Sequence, residues 1–117
     1  MNRGYTIETI DGITIVRFHQ KPNFKDICSA IDDVSKEHPS PLRLWDLSCG
    51  IDLTVTELEQ MAKYAKTKFL TPSKAAIVAP TDLAFGLSRI HEVYRQDDFV
   101  EENVFRTEQE AREWLKS

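Results

Sequence analysis

Hydroxyl and carboxyl side chains are concentrated between residues 46 and 56 of the chain. They are Asp46, Ser48, Asp52, Thr54 and Thr56. A hydroxyl at the start of a helix lies beside unpaired backbone N–H groups, where a phosphate or another anion is electrostatically stabilised. The same residue types at the same places also serve as ordinary helix caps. The segment therefore predicts a switch or anion-binding loop, with plain capping as the alternative.

A second candidate feature is the start of the helix predicted after Pro80. Thr81 is its expected cap, and an apolar stripe that we expect to be buried follows at helical spacing: Leu83, Leu87, Ile90 and Tyr94. At about 100° per residue, Phe85 lies on the opposite, polar side of this helix. An exposed phenylalanine there would anchor a partner or an apolar ligand, unless it folds onto the preceding loop.

The sequence carries no motif that indicates catalysis or metal binding. The four glycines are scattered, so no glycine-rich phosphate loop follows a strand. No two histidines are four residues apart, the spacing that places two ligands on one helix face; they are His19, His38 and His91. Cys28 and Cys49 are too few for a disulfide scaffold or a four-cysteine zinc site. A catalytic triad of Ser48, His91 and Asp46 would require these residues to be in contact, which nothing in the sequence predicts. From these observations together we expect a protein that is not an enzyme and that has no cofactor or metal.

Strand and helix signals alternate along the chain. Asp11 and Gly12 join two β-branched runs, Tyr5 to Ile10 and Ile13 to Phe18, and predict an antiparallel hairpin. Helix caps are expected at Asn23, at Thr54 or Thr56, at Thr81 and at Thr107. Further strands are expected at Leu42 to Leu47, Lys74 to Ala79 and Asn103 to Arg106. The acidic stretch Asp97 to Glu102 is expected to be a loop. This ββαβαβαβα order predicts an α/β fold with a mixed, mostly parallel sheet.

Length and charge narrow the classes of protein further. With 117 residues, we expect one domain that covers residues 1–117. The 19 acidic side chains outnumber the 15 basic ones, which argues against a nucleic-acid partner. No window approaches the roughly 20 apolar residues of a membrane span, and no secretory signal is recognisable, so a cytoplasmic protein is expected. Lysines are concentrated between residues 60 and 75, and acidic residues between residues 92 and 113. This uneven charge favours a charged partner or head-to-tail self-association, with a solvated surface as the alternative.

Three segments of the chain resemble the SpoIIAA-like family. They are LWDLS at Leu44 to Ser48, AIVAPTDLAFGLSRIHEVY at Ala76 to Tyr94 and VFRTEQEAREWL at Val104 to Leu115. This family belongs to the STAS group, named for sulfate transporters and anti-sigma-factor antagonists, and its fold is likened to CRAL-TRIO lipid-transfer domains. The resemblance covers nearly the whole chain and implies the STAS fold in a small bacterial protein.

The resemblance also implies what the polar loop does. In the anti-sigma-factor antagonists a phosphorylatable serine follows an aspartate in an Asp-Ser-Ser-Gly context. The matching stretch here is Asp52 to Val55, with Leu53 at the acceptor position and no glycine. The resemblance therefore implies a non-catalytic regulatory or protein-interaction module without the standard phosphoacceptor serine.

We therefore expect a binding site formed by the loop after the third strand and the helix start at Thr81. Its expected partner is a protein or a second copy of the chain. The alternative is a small apolar-ligand or lipid-binding protein of the CRAL-TRIO type, in which Phe85 contacts the ligand.

Overall fold

The computed structural model describes residues 4–95 and 99–117 of the chain. Its strands are β1 (Tyr5–Ile10), β2 (Ile13–Phe18), β3 (Leu42–Asp46), β4 (Ser73–Val78) and β5 (Val100–Phe105). Its helices are α1 (Phe24–Glu37), α2 (Val55–Lys68), α3 (Asp82–Arg95) and α4 (Glu108–Leu115). The predicted order of nine elements is confirmed.

The five strands form one sheet in the order β1-β2-β3-β4-β5. β1 pairs with β2 in antiparallel orientation, and the other three pairs are parallel. The hairpin turns at Asp11 and Gly12, whose φ angles of 53° and 79° are the two positive values that a tight two-residue turn requires. The prediction of a mixed, mostly parallel sheet opened by a hairpin is therefore confirmed.

Helices cover the two faces of the sheet unequally. Right-handed crossovers between neighbouring parallel strands place α1, α2 and α3 on one face, and residues of all three share a core with Val16 and Ile77. Of the four helices in the described residues, α4 alone lies on the other face, where Ala111 and Leu115 pack against Ile15. We call these the three-helix face and the α4 face.

Local capping explains where three helices begin. The Asn23 side chain accepts a hydrogen bond from the Asp26 backbone N–H, and the Asp26 carboxylate accepts one from the Asn23 N–H. The same reciprocal capping box begins α2 at Thr54, so Thr54 and not Thr56 is the cap. Thr107 begins α4 in a similar way.

The predicted orientation of α3 is wrong. The side that faces the core consists of Ala84, Ser88, His91 and Arg95. Of the predicted stripe, Leu83 and Tyr94 are exposed, and Leu87 and Ile90 are half-buried. Small Ala84 and Ser88 let the helix approach the sheet closely, and His91 finds a hydrogen-bonding partner on β5.

The structure also corrects the predictions for Phe85 and for the start of β5. Phe85 is half-buried and packs against the core of the three-helix face, so it is not an exposed anchor. β5 begins at Val100 rather than at Asn103, because Val100, Glu102 and Val104 alternate into the core. Asp97 and Asp98, the start of the predicted acidic loop, lie outside the described residues.

Within the described ranges, no helix is long and apolar enough to cross a membrane.

Candidate functional site

Asp46 and Ser48 come together at the end of β3, but they are held on the α4 face. Asp46 accepts hydrogen bonds from the Ser48 backbone N–H at 3.0 Å and from the Ser48 hydroxyl. Asp46 also accepts one from Arg17 at 3.0 Å, and Arg17 in turn binds Glu108 of α4 at 2.7 Å. The hydrogen bonds that Glu108 accepts from Arg17 and from Arg112 hold the pKa of its carboxyl below the usual range. The contact between Asp46 and Ser48 closes a turn after β3. The hydrogen bonds of Arg17 to Asp46 and Glu108 connect β2, β3 and α4.

The remaining polar residues of the predicted loop have local roles or face solvent. The Thr54 hydroxyl accepts from the Glu57 N–H at 3.1 Å, which is a capping contact. Asp52 is exposed, and its backbone N–H donates a hydrogen bond to the Pro22 carbonyl at 3.0 Å. Thr56 is exposed in the first turn of α2. The geometry of this segment is that of helix capping, which was the alternative interpretation.

At the start of α3, Thr81 and Phe85 are likewise occupied by contacts within the chain. The Thr81 hydroxyl accepts from the Ala84 N–H at 3.1 Å. The Arg106 guanidinium carbon lies 4.2 Å from the centroid of the Phe85 ring and its Nη1 donates to Asp82 at 2.7 Å. Arg106 therefore covers the ring that we expected to meet a partner.

A cavity of about 50 Å³ lies between the three-helix face of the sheet and helices α1, α2 and α3. Most of its wall is apolar, with side chains from both layers, among them Phe18, Ile31, Trp45, Leu58 and Met61. One buried water needs roughly 10–15 Å³, so the space has room for a few water molecules or a small chemical group. Met61 is an adaptable wall residue, because its unbranched thioether side chain repacks easily.

One part of the cavity wall is formed by three residues in register on neighbouring strands, two of which are charged. Arg43 of β3 is in register with Ala75 of β4, and Ala75 with Glu102 of β5. Arg43 and Glu102 are both buried, and all three residues line the cavity. Ala75 contributes only a methyl group between the two charged neighbours.

Helix α3 supplies the other polar wall through Ser88, His91 and Arg95. The His91 Nδ1 atom lies 2.9 Å from a carboxylate oxygen of Glu102, which fixes the imidazole ring against β5. Arg95 is nearly completely buried and lines the same cavity. Ser88 is 1% exposed, and its Oγ has no hydrogen-bond partner among the described residues. A buried hydroxyl in that state costs about 1–3 kcal/mol, so its presence needs an explanation.

The cluster contains the residue types of a hydrolytic triad without its geometry. Ser88 lies in the middle of α3, where its backbone N–H belongs to the helix and offers no oxyanion site. Its Oγ does not bond to His91. The triad that can be drawn from the sequence does not form either, since Ser48 is exposed on Asp46 while His91 pairs with Glu102. Neither set of residues therefore forms the hydrogen-bonded chain of a hydrolytic triad.

Metal coordination has no candidate in residues 4–95 and 99–117. No three His, Cys, Asp or Glu side chains converge there in a way that would hold an ion.

Sequence reasoning missed the cavity because its polar residues resemble surface residues. Ser88, His91 and Arg95 recur at helical spacing with Ala84, but the richer apolar stripe of α3 was assigned to the core. The alternation of Val100, Glu102 and Val104 was the available signal. It predicts a carboxylate on the buried side of a strand, which requires a polar partner on the covering helix.

Comparisons with known proteins bring no match: neither a protein-family model, nor a curated protein, nor a solved structure is significantly similar to the chain. The structure shows a single α/β sheet domain with four helices. The STAS fold and membership of the SpoIIAA-like family stay predictions from the sequence segments.

Proposed function

We propose that the protein binds a small amphipathic molecule in the cavity between the sheet and α1–α3. The observation that carries the proposal is Ser88, a residue of the cavity wall whose buried hydroxyl has no hydrogen-bond partner among the described residues. A ligand that carries a hydrogen-bonding group would remove the cost of leaving this hydroxyl unsatisfied. The apolar wall would accept the rest of the molecule.

The resemblance to the SpoIIAA-like family supports this proposal, because the fold of that family is likened to lipid-transfer domains. Ligand binding of the CRAL-TRIO type was the alternative function expected from the sequence. The cavity moves the proposed site away from the loop between residues 46 and 56, where the polar groups already bond to each other or to the backbone. It also removes Phe85 from the ligand's expected contacts.

The test uses 1-octanol as a neutral amphipathic probe and backbone amide NMR to locate it. We expect shift changes at cavity residues such as Ser88 and His91, and none at the loop between residues 46 and 56. Ala75→Val places two methyl groups in the cavity and abolishes the changes. Ala76→Val, the next residue on the same strand, faces α4 and leaves them intact.

Two results would refute ligand binding at this site. One is the absence of cavity shifts in the wild type up to the solubility limit of octanol. The other is equal binding by wild type and Ala75→Val. Ala65→Val fills the same cavity from α2 and replaces Ala75→Val if that variant does not fold.

A second candidate function, a regulatory module that acts by self-association, is favoured by the outer side of α3. Leu83, Val93 and Tyr94 are exposed there beside half-buried Leu87 and Ile90. Monomeric proteins rarely expose contiguous apolar patches of this kind, and a second copy of the chain presents the same stripe for isologous contact.

Sedimentation at several protein concentrations tests this second function. We expect the wild type to dimerise and Val93→Ser to shift the dissociation constant upward about tenfold or more. Val55→Ser replaces an exposed valine at the start of α2 and is the control that should leave association unchanged. A wild type that is monomeric at every concentration would rule out self-association.

A further inference from the structure

Two polar side chains of the cavity wall, Ser88 and His91, lie three residues apart on the side of α3 that faces the core. Residues at this spacing are neighbours on a helix surface. Ser88 is 1% exposed, and its hydroxyl lacks a hydrogen-bond partner within the described chain. The His91 side chain is 11% exposed. A polar group bound beside one of them is therefore close to the other.

The contact between His91 and Glu102 determines what the imidazole ring offers to a ligand. His91 Nδ1 lies 2.9 Å from a Glu102 carboxylate oxygen, and a carboxylate accepts hydrogen bonds without donating them. Nδ1 therefore carries the ring proton. In the neutral imidazole the other nitrogen, Nε2, is then an acceptor, and it makes no hydrogen bond within residues 4–95 and 99–117. The wall thus presents an acceptor beside a hydroxyl.

These two groups discriminate between the polar groups that a ligand can carry. A carboxylate or an ether oxygen has no proton to donate to Nε2. An ammonium group could donate to it, but Arg43 and Arg95 line the same cavity and repel a cation. A neutral hydroxyl group matches both partners, because it donates to His91 Nε2 and accepts from the Ser88 hydroxyl.

We propose that the ligand is a neutral alcohol whose hydroxyl group binds between Ser88 and His91. The inference rests on the proposed function of the cavity, and its binding mode satisfies the Ser88 hydroxyl from which that function is argued. The carbon chain lies against the apolar wall, which includes Leu58 and Met61.

1-Butanol, diethyl ether and butanoate test the head-group assignment, and all three are smaller than octanol, which suits a cavity of about 50 Å³. Butanol and diethyl ether are isomers, but only the alcohol donates a hydrogen bond. Butanoate has the same number of carbon atoms and a negative charge. In titrations followed by backbone amide NMR at Ser88 and His91, we expect butanol to bind about tenfold or more tightly than either other probe, a preference of at least about 1.4 kcal/mol.

Nitrogen NMR of the His91 ring tests the acceptor directly. We expect Nδ1 to carry a proton in the free protein and Nε2 to carry none. Butanol should shift the Nε2 resonance, because it donates to that atom, whereas diethyl ether should leave it unchanged. A free ring that is protonated on both nitrogens, or an Nε2 resonance that butanol does not shift, would overturn the hydroxyl assignment.

Ser88→Ala tests the second hydrogen bond. It should lower the affinity for butanol about fivefold, since one hydrogen bond is lost. Ser29→Ala replaces an exposed serine of α1 and should leave the affinity unchanged. If Ser88→Ala binds butanol as tightly as the wild type does, Ser88 is not a ligand contact and the proposed binding mode is wrong. The wild-type probe ratio and the ring spectrum need no variant, so the inference stays testable if Ser88→Ala does not fold.

The outcomes separate this inference from the proposed function. Equal affinities for butanol and diethyl ether, including no detectable binding of either, would overturn the hydroxyl assignment. Tighter binding of butanoate than of butanol would overturn it in favour of an anionic head group. The octanol experiment with Ala75→Val decides independently whether the cavity is a ligand site.

Discussion

The sharpest consequence of the cavity concerns the stability of Ser88→Ala. In the wild type a nearly completely buried hydroxyl lacks a hydrogen-bond partner within the described chain. Removing the hydroxyl removes its desolvation cost, so the variant should be more stable than the wild type. A residue that is retained at a cost to stability is typical of a binding site.

The expected gain follows from three contributions. Burying a hydroxyl without a partner costs about 1–3 kcal/mol in mutational data. The higher helix propensity of alanine adds up to about 0.5 kcal/mol. Lost dispersion contacts of the oxygen subtract a few tenths, since each atom pair contributes about 0.1–0.2 kcal/mol. Ser88→Ala should therefore raise the free energy of unfolding by about 1–2 kcal/mol.

Thermal and urea denaturation measure this change. A chain of 117 residues has an unfolding entropy near 0.25 kcal/mol/K, so each kcal/mol raises the Tm by about 4 °C. Ser29→Ala is the matched control, because Ser29 is an exposed serine within α1 and reports helix propensity alone. A Ser88→Ala variant that is less stable than the wild type would refute the reasoning, since it would show that the hydroxyl has a partner such as a buried water.

Three other predictions concern contacts outside the cavity. Thr54→Ala should lower the free energy of unfolding by about 1 kcal/mol through loss of the α2 cap, whereas Thr56→Ala should change it by less than about 0.5 kcal/mol in the same urea titration. Glu108→Gln should destabilise the protein by about 1 kcal/mol at pH 7. Because Arg17 lowers the folded pKa of Glu108, that contribution is present above the ordinary value of 4.5 and disappears as the pH falls through the lowered pKa; a pH-independent difference would contradict the ion pair. The hydrogen bond that Tyr64 donates to a carboxylate of α1 raises its pKa to about 12, so the tyrosinate absorbance lost in Tyr64→Phe should titrate near pH 12, and a value near 10 would show that this bond is absent in solution.

Local signals predicted the type and order of the elements of this fold correctly. The turn at Asp11 and Gly12 and the caps at Asn23 and Thr54 each depend on residues within about one helical turn or one hairpin. Such interactions are determined by the neighbouring sequence, because the groups that satisfy the backbone lie close by along the chain. The order of elements then left few arrangements of the sheet, since crossovers between parallel strands are right-handed.

The side of α3 that faces the core could not be predicted in the same way. Leu83 and Tyr94 belong to the more apolar stripe, yet His91 lies inside because Glu102 meets it from a strand eleven residues later. A buried polar residue is favoured only when its partner is present, and that partner is brought by the fold. The amphipathic pattern of a single helix contains no information about such a partner on another element.

The sequence by itself determined the order of strands and helices, the hairpin, the caps and the parallel sheet, because these follow from short-range hydrogen bonding and connection geometry. Only the tertiary structure decided that the hydroxyls near β3 cap a helix and close a turn, and that α3 turns Ser88 and His91 rather than Leu83 toward the core. It also decided that five polar residues line one cavity: Arg43, Ser88, His91, Arg95 and Glu102. Those residues come from β3, α3 and β5 and meet across the sheet. Their proximity depends on packing between layers, which no local pattern of residues encodes.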